Sequence, residues 1–149
     1  MTKEETMKIS EAEWEVMRVV WTLGEVDAQT ISETLSHRMQ WKLATIKTLL
    51  GRLVKKEALR TQQVGKKFLY SANVSEEETF RSAQVELFSH LCARRVGKQL
   101  NQMIEEVLLT QADIDQIRQT LDKKVATKVI PCDCLPGQCH CHHAAESLE

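Results

Sequence analysis

Aromatic residues make up only 5% of this 149-residue chain, which has a single tyrosine and three residues each of tryptophan and phenylalanine. So few rings argue against a β-sandwich and for helices packed through Leu, Ile and Val, which a hydrophobic content of 42% can supply. No apolar run approaches the about 18 residues needed to cross a bilayer, and the opening MTKEETMK has no signal core. The chain is therefore read as cytoplasmic, with no membrane partner. It has no internal repeat or low-complexity stretch. It also lacks a Ser/His/Asp set and paired carboxylates on one face, which argues against an enzyme. The length allows one medium domain, or a small domain with an oligomerisation extension.

A net charge of −1 hides a strong asymmetry. Residues 1–37 carry three basic and eight acidic side chains. Residues 38–67 carry nine basic ones against Glu57 alone. A local excess of this size favours nucleic acid where the whole-chain balance would not. A solvated Lys/Arg face is the alternative. The position of the run decides between them.

Ser10 and Glu13 form a capping box ahead of Ala12, Val16, Met17, Val20 and Trp21, which predicts a helix ending at Gly24. Asp27 can cap a short second helix through Ile31 and Leu35. A third runs from about Lys42 to Glu57 on the stripe Leu43, Ile46, Leu49, Leu50, Leu53 and Val54. Gly65, between Val64 and Phe68-Leu69-Tyr70, predicts a β-hairpin with a basic tip. Helix–helix–helix–hairpin is the winged helix-turn-helix. The expected fold is mainly α with this small hairpin wing: a DNA-binding domain over residues 7–73, a helical dimerisation domain over 74–128 and a metal-binding tail over 129–149.

In the second half, Ser75 and Glu78 open a helix, a break is expected around Gly97, and Thr110 caps a last helix that extends through Val125. Pro131 marks the end of helix and the start of the tail. The apolar stripes here are too narrow to enclose a core and pair most simply with a second copy of the chain. Phe80, Leu87, Leu91, Leu100, Ile104, Ile114, Ile117 and Leu121 are the expected homodimer interface.

On the third helix, a turn of about 100° per residue points Leu43, Ile46, Leu50 and Leu53 inward. Ala44, Thr45, Thr48, Gly51, Arg52 and Lys55 then form the outer face. Small residues let its backbone sit deep in a major groove, and Thr45, Thr48 and Arg52 can reach base edges or phosphates. Lys42, Lys47, Lys55 and Lys56, with Lys66 and Lys67 at the wing tip, are candidate phosphate contacts. An ordinary solvated face would mix Glu among its lysines, and this helix has none before Glu57. Trp14, Trp21 and Trp41 read as packing groups, and Cys92, between Leu91 and Ala93, as a buried structural thiol.

The other four cysteines fall in C-D-C-L-P-G-Q-C-H-C: Cys132, Cys134, Cys139 and Cys141. In a reducing cytosol such clustering favours metal over disulfide. Each Cys-x-Cys pair aims two sulfurs to one side, and the intervening turn can fold four thiolates around tetrahedral Zn(II) or a Cu(I) cluster. The tighter C-x-C spacing suits Cu(I), whereas structural zinc sites mostly use C-x2-C. A structural zinc clip and a redox-switched thiol set are the alternatives.

ISEAEWEVMRVVW at Ile9–Trp21, WKLATIKTLLGRLVKKEAL at Trp41–Leu59 and the wing GKKFLY at Gly65–Tyr70 resemble the BlaI/MecI/CopY repressors. The likeness spans roughly residues 7–125, departing at Gly51, where the family often has Asn, and at Lys47, where Arg is common. It implies a homodimer, joined through its C-terminal helices, that represses an operon from a palindromic double-stranded DNA operator. The tail resembles that of the copper-responsive CopY branch, which implies Zn(II) in the operator-bound form and release when Cu(I) displaces it. A copper-delivery protein would be a further partner. A copper-buffering or delivery protein, which needs no basic recognition helix, is the rival from another class.

Overall fold

The computed structural model describes residues 7–138. Helix α1 (Glu11–Leu23) opens on the expected capping box: Ser10 Oγ accepts from the Glu13 N–H at 3.2 Å, and the Glu13 carboxylate accepts from the Ser10 N–H at 3.3 Å. It stops at Gly24, whose φ of +83° suits a residue without Cβ. Asp27 caps α2 (Ala28–Leu35), accepting from the Thr30 N–H at 2.7 Å. That bond, assisted by Lys67 at 3.5 Å, holds the Asp27 carboxyl below the usual carboxylate range.

Helix α3 (Leu43–Lys55) buries Ile46, Leu49, Leu50 and Leu53, as offsets of three and four require. It ends in a Schellman motif, with the Glu57 N–H bonded to the Val54 carbonyl and the Ala58 N–H to the Leu53 carbonyl, both at 3.0 Å. Glu57 occupies the left-handed position of that motif, at φ +64°, where glycine is usual.

Strands β2 (Leu59–Val64) and β3 (Lys67–Ala72) form the wing, in antiparallel register from Leu59↔Ala72 to Val64↔Lys67. Gly65 leads the two-residue turn at φ +63°. A two-residue strand β1 (Val26–Asp27) pairs with Tyr70 and Leu69, so the sheet runs β1-β3-β2. Sequence periodicity cannot register so short an element.

The core is built from α1, α2, α3 and the sheet. Val16, Met17, Val20, Ile31, Ile46, Leu50, Leu53 and Leu59 are all sealed from solvent. The tryptophans pack at its margin as expected: Trp14 meets Trp21 edge-on at 5.7 Å, and the Trp21 indole N–H donates to the Val74 carbonyl at 2.9 Å.

Helices α4 (Glu76–Ser89), α5 (Val96–Glu106) and α6 (Gln111–Lys123) follow, and the chain divides into two compact units between Glu86 and Leu87. The expected break at Gly97 falls earlier. Helix α4 ends at Ser89, a 3₁₀ turn covers Ala93–Arg95, and Gly97 lies in the first turn of α5. Thr110 caps α6 through a reciprocal pair with Asp113, but the helix ends at Lys123, short of both Val125 and Pro131. Among the described residues from Leu87 onward only Cys92 is buried. No helix among the described residues is long and apolar enough to cross a membrane.

A non-glycine residue in the left-handed region costs about 1 kcal/mol. Glu57→Gly should therefore stabilise the first unit by about that amount, offset by the greater freedom glycine has in the unfolded chain. A rise in the urea midpoint at unchanged slope is the expected result, and a fall would mean that Glu57 is held there by favourable contacts.

Candidate nucleic-acid interface and metal centre

With its Leu/Ile seam buried, α3 has one orientation open to it. Ala44, Thr45, Thr48, Gly51, Arg52 and Lys55, the outer face that the sequence predicts, are all exposed, as are Lys42 and Lys47. Thr48 donates its hydroxyl to the Ala44 carbonyl at 3.0 Å, which fixes the rotamer and leaves oxygen lone pairs facing out. A Cβ added at Gly51 would meet nothing within 4 Å, so the fold itself does not demand glycine there. Lys42 stands at the N-cap with no side-chain capping bond, and a helix N-terminus in that condition favours an anion. Lys66 and Lys67 are exposed at the turn of the wing. Lys67 pairs with Asp27, but its side chain stays 74% exposed, and a surface pair of that kind is worth at most about 1 kcal/mol.

Lys56 differs from the other cations of the expected set in having a buried partner. Its ammonium lies 2.5 Å from a Glu13 carboxylate that is almost wholly buried, and it also donates to the Lys8 carbonyl at 2.6 Å. It ties the end of α3 to the start of α1. The buried acid needs a cation, so Lys56 turns inward where Lys55 turns out.

The second unit brings three cysteines together. Cys92, between α4 and the 3₁₀ turn, is 8% exposed; Cys132 and Cys134 are half-buried. Their sulfurs all lie within 4.8 Å of one another, with Cys92 donating to Cys132 at 3.8 Å. Four thiolates at Zn–S distances of about 2.3 Å stand about 3.8 Å apart in a tetrahedron, so this donor set fits a soft metal ion. Two more bonds hold the tail: the Ala93 N–H donates to Asp133 Oδ1 at 2.7 Å, and Arg94 Nε to the Ile130 carbonyl at 2.6 Å. The first keeps the Asp133 carboxyl below its ordinary range. Cys139 and Cys141 lie outside the described residues.

The model of the family described as "Penicillinase repressor" matches residues 9–123. The chain belongs to the penicillinase repressor family. It is 44% identical to a 16.5 kDa protein in the ptsI 3′ region of Latilactobacillus sakei, over 93% of this chain and 96% of that one. The penicillinase repressor of Bacillus licheniformis is 32% identical over 78% of this chain and 91% of its own length. A solved CopR repressor structure is 48% identical, covering 46% of this chain and 99% of that chain with a TM-score of 0.40. Membership in a repressor family makes the chain a regulator and not an enzyme.

Within this penicillinase repressor fold, the residues expected at a subunit interface are placed unevenly. Phe80, Leu87, Leu100, Ile104 and Leu121 are exposed by between 42% and 61%, an apolar load that a lone chain leaves wet. Leu91, Ile114 and Ile117 are half-buried. Cys92 is the residue that sequence reasoning assigned to packing and the fold brings beside the tail. It stands 40 residues from Cys132, so no spacing motif reveals it. The one available signal was an odd fifth cysteine.

The inward turn of Lys56 separates two neighbours that look alike in sequence. Lys56→Ala should cost about 2 kcal/mol of stability, because a buried carboxylate loses its partner, discounted for the partial exposure of Lys56. Lys55→Ala should leave stability within about 0.5 kcal/mol and instead lower duplex-DNA affinity, reducing the salt slope by about one unit. Denaturant melts and binding isotherms at several salt concentrations would show the reverse pattern if Lys56 were the phosphate contact.

Proposed function

We propose that this chain is a metal-responsive transcriptional repressor of the CopY type. It binds a palindromic operator as a homodimer in its Zn(II) form and releases it when Cu(I) occupies the cysteine site, derepressing copper-efflux genes. The observation that carries this reading is the convergence of Cys132 and Cys134 in one sulfur cluster on a repressor-family fold. A repressor with no effector to sense has no need of clustered thiols, and in the cytoplasm such thiols stay reduced and able to bind metal.

The division of labour is residues 7–73 for operator reading, 74–128 for subunit pairing and 129–149 for sensing. Thr45, Thr48 and Arg52 read base edges from the exposed face of α3, while Lys42, Lys47, Lys55, Lys66 and Lys67 hold phosphates. The exposed apolar side chains of α4, α5 and α6 are covered by the second subunit, which sets the spacing of two recognition helices to one helical turn of DNA or a multiple of it. Pairing also turns two weak half-site contacts into one tight event. A copper-delivery protein is the natural donor of the inducing ion.

Metal bound at the tail supplies a fixed geometry between the arms that hold it. One Zn(II) and a pair of Cu(I) ions bring equal charge to the same thiolates, so repulsion of DNA does not distinguish the two states. Shape does: tetrahedral coordination and the two- or three-coordinate bridging of Cu(I) demand different relations between the Cys-x-Cys pairs. The tail follows α6 within a few residues, and that difference biases how the subunits pair.

Changing both Cys132 and Cys134 to Ser should give a folded protein that binds operator but is not released by Cu(I), with high-affinity zinc binding lost. Anisotropy on an operator selected from random duplexes, under anaerobic thiol-buffered Cu(I), reads this directly. Normal copper-induced release by that variant would remove the tail from the role of sensor.

A further inference from the structure

We infer that Cys92 is a thiolate ligand of the tail's metal, so that the sensor is anchored on the helical unit through Cys92, Cys132 and Cys134 and is not confined to the tail. The role rests on the metal-sensing reading above and goes beyond it. Cys92 is not in the tail motif, yet its sulfur lies 3.8 Å from Cys132, the edge length that a tetrahedral thiolate site of about 2.3 Å bonds requires. With Cys134 it supplies three donors whose sulfurs stand within 4.8 Å of one another. Three positions of a tetrahedron are thereby assembled from described residues.

The surroundings of Cys92 favour ligation over packing. Its neighbours on the 3₁₀ turn grip the tail on either side of Cys132: the Ala93 N–H holds the Asp133 carboxylate at 2.7 Å, and Arg94 Nε holds the Ile130 carbonyl at 2.6 Å. These bonds set the tail in register, so Cys132 and Cys134 reach Cys92 without the metal having to order the chain first. Preordering of this kind is what an outer shell contributes to a metal site. Cys92 also lies only a few residues before α5 (Val96–Glu106), a helix with Leu100, Met103 and Ile104 exposed. A ligand at that point couples coordination geometry to the start of a helix proposed to pair with the other subunit. A tail-only site would have no such grip and would act through the end of α6 alone.

Full-length protein loaded with Cd(II) as a zinc surrogate gives a test that needs no mutation: cadmium–proton scalar coupling to the β-protons of each ligating cysteine. Coupling to Cys92 together with Cys132 and Cys134 is expected. Coupling to the tail cysteines without Cys92 would overturn the inference and leave the metal-sensing reading intact; coupling to no cysteine would overturn both. As a second measurement, Cys92→Ser should lower zinc affinity by at least the about 10–100-fold that loss of an outer-shell partner costs, with metal-free operator affinity unchanged. Cys92→Ala, which keeps a small apolar side chain, should lower it equally. Wild-type zinc affinity in both variants would show that Cys92 only packs.

Discussion

Burial of Ile46, Leu49, Leu50 and Leu53 beneath α1 and α2 is the constraint from which the first half of the molecule follows. Four side chains at helical spacing leave α3 one way to sit, because a rotation of a single residue position would bring a lysine or arginine into the core. Its opposite face is therefore fixed in space: two threonines, a glycine, an alanine and a run of cations with no acid among them. The ends of the helix are pinned as firmly. Glu13 caps α1 and at the same time binds Lys56, so one buried carboxylate orients both helices, and the Schellman turn at Glu57 launches the wing directly from α3. A recognition surface made of flexible cations gains from such rigidity, since their ordering cost is then not compounded by backbone disorder.

The second half obeys a different economy. Helices α4 and α6 carry side-chain caps at Ser75 and Thr110, but from Leu87 onward the chain buries no apolar side chain beyond Cys92 among the described residues. Caps contribute about 1 kcal/mol each and cannot offset the ordering of such helices alone. A second subunit is the simplest source of the missing burial, and a metal held by the clustered cysteines would be a second tie. Both are conditional, one on concentration and the other on metal, which is the property a switch requires.

What could be read from the sequence follows the range of the interactions involved. The capping boxes at Ser10 and Thr110, the stripe of α3 and the glycine of the wing are local, and the residues that form them lie within four positions of each other. The exposed face of α3 was legible for the same reason. Strand β1 was not, because two residues carry no period and its pairing with Tyr70 is set by the tertiary fold. The contacts of Lys56 and Cys92 were not legible for a shared cause: their partners, Glu13 and Cys132, stand 43 and 40 residues away. The break near Gly97 was placed by composition, whereas the helix in fact yields at His90–Cys92, where the chain enters the 3₁₀ turn that meets the tail. The exposure of Phe80, Leu87, Leu100, Ile104 and Leu121 follows from stripes too narrow to enclose a core.

The central claim is that metal exchange at the cysteine cluster and loss of operator are one event. It is tested most directly by titrating Cu(I) into zinc-loaded, operator-bound protein while following zinc release with a chelating dye and operator release by anisotropy in the same cuvette. The account predicts that the two curves coincide across the titration. Complete zinc release with the operator still bound, or operator release while zinc is retained, would contradict it.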